Sequence, residues 1–236
     1  MRQQFRLDPS TTLAYLALGI AACHPAAVEL VPPGTPSVGT EQVKAWVDAT
    51  TPKQGVLHRF KWQYRDEKGA AGGRGSVRLA APDSLRFDAA GPLGTGRSSA
   101  VVVGDSAIWF DPEDRNLADL VPDMPLMWAL FGVARPPNPS ASLHGLEERD
   151  QISWQYTRDA DTVEYRRVTG HSPTFLAEIR RAGKVVGRAE ASFAADGTPV
   201  KARLVVPGVP ARLDLTFYSS KATTAFPPDT WLRHRP

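Results

Sequence analysis

Arg59-Phe60-Lys61-Trp62-Gln63-Tyr64-Arg65 sets an aromatic ring at every second position and a charge or an amide between the rings. Successive side chains of an extended chain point to opposite faces, so this stretch reads as a strand with one dry face and one wet face. The same period runs outward along the chain. Val77 and Leu79 flank Arg78; Leu85, Phe87 and Ala89 oppose Arg86 and Asp88; Ile152, Trp154 and Tyr156 oppose Ser153, Gln155 and Thr157. Further on come Phe175, Ala177 and Ile179, then Ala189, Ala191 and Phe193, then Val200, Ala202 and Leu204, and finally Leu213, Leu215 and Phe217. Tight-turn residues separate the runs, among them Asp66-Glu67-Lys68-Gly69, Pro82-Asp83, Ala195-Asp196-Gly197 and Pro207-Gly208. Short strands joined in this way predict a mainly β (α+β) fold, one open antiparallel sheet of about ten or eleven strands in a single domain.

Two segments break the period of two. Thr40 is a plausible N-cap and Glu41 suits a first turn, so a short helix is expected from Thr40 to about Ala49 with Val43, Trp46 and Val47 on one face. The second interruption runs from Pro112 to Pro139, bounded by prolines that read as hinges. Inside it Met124 to Val133 is almost wholly apolar, with Leu126, Met127, Leu130 and Phe131 spaced for one helical face. A helix that is apolar all round must be buried, and the sheet has an apolar face to cover. Both helices are therefore expected to lie across that face as a lid.

Toward the start of the chain, Arg2 and Arg6 precede an apolar run from Leu13 to Ala22 that ends in Leu18-Gly19-Ile20-Ala21-Ala22-Cys23. A positive leader, an apolar core and small residues form an export signal. An aliphatic residue, two small residues and a cysteine resemble the bacterial lipobox. Residues 1–22 then read as a lipoprotein signal peptide, 23–39 as a Pro/Gly-rich tether after a lipidated Cys23, and 40–236 as the domain. The other reading of Cys23 is an inert thiol after an ordinary signal peptide. Acyl chains contribute about 0.8 kcal/mol per buried CH2, so lipidation would anchor the protein to a membrane without spanning it. Cys23 is the only cysteine, so no intrachain disulfide is possible. The formal charge of +3 arises from 28 basic and 25 acidic residues. They are scattered and form no stripe, which argues against nucleic acid as a partner.

Between two of the predicted strands stands Gly91-Pro92-Leu93-Gly94-Thr95-Gly96. A phosphate loop needs a helix N-terminus directly after it, and here a strand, Ser98 to Val103, follows. The cluster reads instead as a wide hairpin turn with Leu93 at its tip. Leu93 either folds back on its neighbours or dips into a bilayer or an apolar partner.

These stretches, taken in order, resemble a known family: the outer-membrane lipoprotein receptor LolB and its periplasmic carrier relative LolA. Ser84-Leu85-Arg86-Phe87 followed by Gly91-Pro92-Leu93-Gly94 is similar to that receptor's strand and Pro-Leu-Gly turn. Pro122-Asp123-Met124-Pro125-Leu126-Met127-Trp128-Ala129-Leu130-Phe131-Gly132 with Pro136 and Pro137 is similar to its Trp-bearing helix. The resemblance spans most of residues 40–231. It implies a half-barrel with helices over its mouth and a cavity for acyl chains of lipoproteins or lipids. It further implies a membrane-contacting loop of Pro92, Leu93 and Gly94, and cavity or lid positions at Trp62, Phe87, Leu126, Leu130, Trp154 and Phe175. A periplasmic carrier protein is an implied partner, and the implied location is the periplasmic face of the outer membrane, with the protein a monomer. The Gly/Ala-rich run Ala70 to Arg74 and the tail with Phe226, Pro227, Pro228 and Trp231 depart from the family pattern.

Nothing in the sequence offers catalysis. His24 and His234 lie in tails, and His58, His144 and His171 are isolated, with no i, i+4 pair for a metal. Asp105, Asp111, Glu113 and Asp114 lack the alternation of a calcium loop. No serine stands in a Gly-x-Ser-x-Gly elbow. The expectation is a binding protein without enzyme activity, metal or cofactor, its alternative a structural or assembly lipoprotein of the envelope on the same scaffold.

Overall fold

The computed structural model describes residues 30–233 except 105, 112–120, 122 and 138–140. The signal peptide, Cys23, His24, His234 and the acidic residues Asp105, Glu113 and Asp114 lie outside the described residues. Helix α1 (Thr40–Asp48) precedes five strands: β1 (Gly55–Asp66), β2 (Gly69–Ala80), β3 (Ser84–Ala90), β4 (Ser98–Val103) and β5 (Ser106–Asp111). Helix α2 (Met124–Ala129) follows, then β6 (Ser142–Glu148), β7 (Gln151–Arg158), β8 (Asp161–Val168), β9 (Thr174–Arg181), β10 (Lys184–Phe193), β11 (Pro199–Val206) and β12 (Ala211–Thr223).

All twelve strands form one open sheet in the order β5-β4-β3-β2-β1-β12-β11-β10-β9-β8-β7-β6. The count is twelve, not ten or eleven. The strands not read from sequence are β5, which the Pro112 interruption follows directly, β6, which has Gly145 where an apolar residue is expected, and β8, where Glu164 and Arg167 interrupt the reading. β1 pairs with β12 at the centre of the sheet, its aromatic side chains facing inward: Phe60 lies against Phe87 at 5.4 Å and Phe217 at 5.7 Å.

Twelve strands laid flat would span about 50 Å, too wide for one short helix to cover, so the sheet has to curl. Glycine in β2 makes the curl possible. A Cβ on Gly73 would lie 1.9 Å from the carbonyl oxygen of Ala90, and one on Gly75 would lie 2.5 Å from the Phe60 ring. The Ala70 to Arg74 run is therefore the place where β2 lets its neighbours close in.

The chain finishes its first five strands at one edge of the sheet and begins β6 at the opposite edge. Helix α2 falls between these two edges in sequence and packs on β9 and β10 on the concave side, which explains why it is apolar on every side. Leu126 and Leu130 are fully buried and Trp128 is 1 % exposed. The expected lid is instead a plug, and its helix ends at Ala129, because Leu130 to Gly132 turn out of it with Gly132 at φ +76°. The turn is fastened on three sides. Trp128 Nε1 donates to Gly104 O at 2.7 Å, Ala134 N to Thr50 Oγ1 at 2.9 Å, and Tyr165 Oη to Arg135 O at 2.7 Å.

Helix α1 starts at Thr40, and its N-cap is Gly39, not Thr40. It sits by the β6 edge, where Trp46 packs on Trp154 at 6.0 Å and over Gly145, whose missing Cβ makes room for the ring. The outer face of the sheet has two covers. Residues 30–39, read from sequence as tether, are docked: Leu30 and Val31 are 2 % exposed, and Leu30 N donates to Glu164 Oε2 at 2.9 Å. The C-terminal tail packs against β3, where the buried Arg86 donates to Thr230 O at 2.6 Å.

Candidate functional site

Strand register defines two ends of the half-barrel. Ala90 lies opposite Arg74, which lies opposite Lys61, so the β3–β4 loop rises at the end where β1 finishes. At the other end Val56 is flanked by Leu79 and Ala222. There, between the exit of α2 and the ends of β1, β8, β9, β10 and β12, opens a groove of about 740 Å³. Phe131, Phe175 and Phe193 form its floor, with Val56 and Leu79 beside them.

Each floor ring comes from a different local cause. Phe131 is the first residue past Leu130 in the α2 turn. Phe193 ends β10, and Gly132 at φ +76° allows its ring to lie where a Cβ would come within 2.4 Å. Phe175 opens β9 and stacks on Tyr165 at 5.7 Å. The polar rim holds His58, Arg167, Thr169, Thr174, Asp196 and Ser220. His58 Nδ1 lies 2.8 Å from Ser220 Oγ, and burial pushes its pKa down to about 4, so the ring is neutral at physiological pH. The exposed Asp196 carboxylate accepts from Thr198 N at 2.9 Å within its own turn, which lowers its pKa.

The residues named from sequence divide between groove, core and loop. Phe175 lines the groove. Phe87, Leu126, Leu130 and Trp154 are at most 3 % exposed and belong to the packed core, with Trp154 stacked on Tyr165 at 5.2 Å. Trp62 is half-buried at the far end, its Nε1 donating to Ala90 O at 3.2 Å. Pro92, Leu93 and Gly94 form a single 3-10 turn, and Leu93 is fully exposed with φ +57°. The loop is tied internally by Gly91 N to Thr95 O at 2.6 Å and Thr95 Oγ1 to Pro92 O at 2.8 Å, so Leu93 does not fold back. Groove and Leu93 stand at opposite ends of the half-barrel. Phe131, Phe193, His58 and Arg167 were not singled out as site residues. Arg167 falls on the inward series of Val163 and Tyr165, a signal visible once β8 is recognised as a strand.

Among the described residues no cluster of His, Cys, Asp or Glu is placed to hold a metal, and no helix is long and apolar enough to cross a membrane. An open antiparallel half-barrel, plugged by its own helix and grooved at one mouth, is the class these features define. No protein-family model matches the chain, and no curated protein does. Among solved structures it is similar to a LolA superfamily protein of Nitrosomonas europaea, with a TM-score of 0.40 and 11 % identity over 84 % of this chain and 99 % of that one. It is also similar to an outer membrane lipoprotein-sorting protein domain of Vibrio parahaemolyticus, with a TM-score of 0.39 and 8 % identity over 80 % of this chain and 94 % of that one. Likenesses this loose carry no inference about function.

Proposed function

We propose that this protein is a non-catalytic acyl-chain-binding protein of the bacterial envelope, anchored through Cys23 on the periplasmic side of the outer membrane. It takes an acyl chain, of a lipoprotein or of a lipid, into the groove and exchanges it with the bilayer. The observation that carries this reading is the groove of about 740 Å³ at this mouth, lined by the half-buried ring of Phe193 beside the buried rings of Phe131 and Phe175. No bond need be made or broken, because a chain moving between apolar surroundings is driven by its exclusion from water. Leu93, fully exposed on a stiff loop, supplies an apolar contact with the membrane. Burying it contributes about 2 kcal/mol, enough to orient the molecule and too little to anchor it.

A second reading has its own support. Because α2 fills the concave side, the sheet is complete without a guest, as a structural or assembly lipoprotein would be. The two separate in the purified chain carrying Cys23→Ala, extracted for mass spectrometry and titrated with a fluorescent fatty acid. Acyl binding predicts uptake, weakened at least about tenfold by Phe193→Asp in the groove floor. Leu93→Glu should leave uptake intact and slow release to vesicles. No extracted lipid together with no uptake establishes the structural reading.

A further inference from the structure

We infer that the groove selects a single-chain amphiphile with an anionic head, and that Arg167 is the residue that holds the head. This inference rests on the reading of the groove as an acyl site and specifies the ligand class. Val163 and Tyr165 of β8 are buried on the inner face of the sheet, and Arg167 continues their alternation at the mouth. Its neighbours across the strands are apolar, Ile152 on β7 and Phe175 on β9. Arg167 lines the groove, and among the described residues its guanidinium has no carboxylate partner. Of the acids on this side, Glu147 accepts from Trp46 Nε1 at 3.3 Å, and Asp196, the acid in the lining, accepts from Thr198 N within its own turn. His58 is neutral.

A half-buried cation beside a three-ring apolar floor is complementary to a fatty carboxylate or an alkyl phosphate, whose head the guanidinium fork can take in two hydrogen bonds. An acylated lipoprotein N-terminus has no such head, since its thioether, esters and amide are all uncharged. The volume agrees. About 740 Å³ lies within the range of about 300–1,000 Å³ for sites that hold one ligand of moderate size.

The test is calorimetry on the full chain carrying Cys23→Ala with dodecanoate, dodecyl phosphate and uncharged monododecanoylglycerol, each below its micelle concentration. Either anion should bind about tenfold more tightly than the glyceride, the gain of one charge-assisted contact. Preference for dodecanoate identifies a fatty-acid head and preference for dodecyl phosphate a phospholipid-type head; both support the assignment. Arg167→Gln should erase the preference while leaving glyceride binding and the melting temperature unchanged, and Arg167→Lys should restore most of it. Equal binding of all three ligands by the parent chain, or an anion preference that survives Arg167→Gln, overturns the inference and leaves acyl binding standing. If none of the three binds, the acyl reading falls and the inference with it.

Discussion

Two residues were visible in the sequence to very different degrees. Leu93 was legible as the tip of a turn, because no helix or strand pattern contains it. That it points outward was not legible, since the fastening comes from backbone bonds among Gly91, Pro92 and Thr95. His58 was set aside as an isolated histidine, and its role follows only from tertiary packing: it is 7 % exposed and edge-on to Phe217 at 5.8 Å. Its depressed pKa has a consequence for stability. Between about 6.5, where an unfolded histidine titrates, and about 4, the unfolded chain binds a proton that the folded chain refuses. Stability conferred by the neutral ring is therefore complete above that window and is lost as pH falls through it. The raised pKa of Glu164, caused first by burial, acts in the opposite sense. A comparison with His58→Gln isolates the histidine: between pH 7 and pH 5 the parent should lose about 1–2 kcal/mol more stability than the variant in urea titrations. Equal losses would mean that the ring is not buried in solution.

At the scale of elements, alternation exposed most strands whose inner positions are apolar and left β5, β6 and β8 unread. β1 was legible from three rings. β6 was not, because its inner Gly145 serves Trp46 of α1, a contact more than ninety residues away in sequence and invisible to any local pattern. The β2 glycines show the same limit in reverse: a Gly/Ala run that weakens a strand in isolation is what allows this sheet to curl. Gly73→Ala puts a methyl 1.9 Å from Ala90 O and should cost about 2–3 kcal/mol. Gly72→Ala, whose nearest neighbour would be Trp62 O at 3.1 Å, should cost less than half as much. Thermal melts of the two variants side by side give the answer, and equal melting points would remove glycine from the account of curvature. The extent of α2 was overestimated for a related reason. An apolar run continues to Val133, but Gly132 at positive φ bends it before the pattern ends.

For the whole molecule, the composition and order of segments announced one open antiparallel sheet, and the position of the plug followed from topology once the two sheet edges were known. What composition concealed was the outer face. Prolines in residues 30–39 suggested a spacer, yet Leu30 and Val31 are buried there and their amides meet the Glu164 carboxylate. Removing residues 1–39 should lower unfolding stability by about 3 kcal/mol, the scale set by the burial of the Leu30 and Val31 side chains. The chain that begins at residue 30 is the reference for this comparison. A chain lacking 1–39 that unfolds at the same urea concentration as the longer one would show that the strap contributes no stability.

The opposed placement of the Leu93 loop and the phenylalanine groove bears on traffic between water and lipid. If the loop is what rests on the bilayer, the receptive mouth faces the aqueous compartment, ready to meet arriving cargo and badly oriented for unloading it. Collection and delivery then become separate postures, and the slow event in a cycle would be a rotation of the whole body over its anchor rather than the sliding of a hydrocarbon tail.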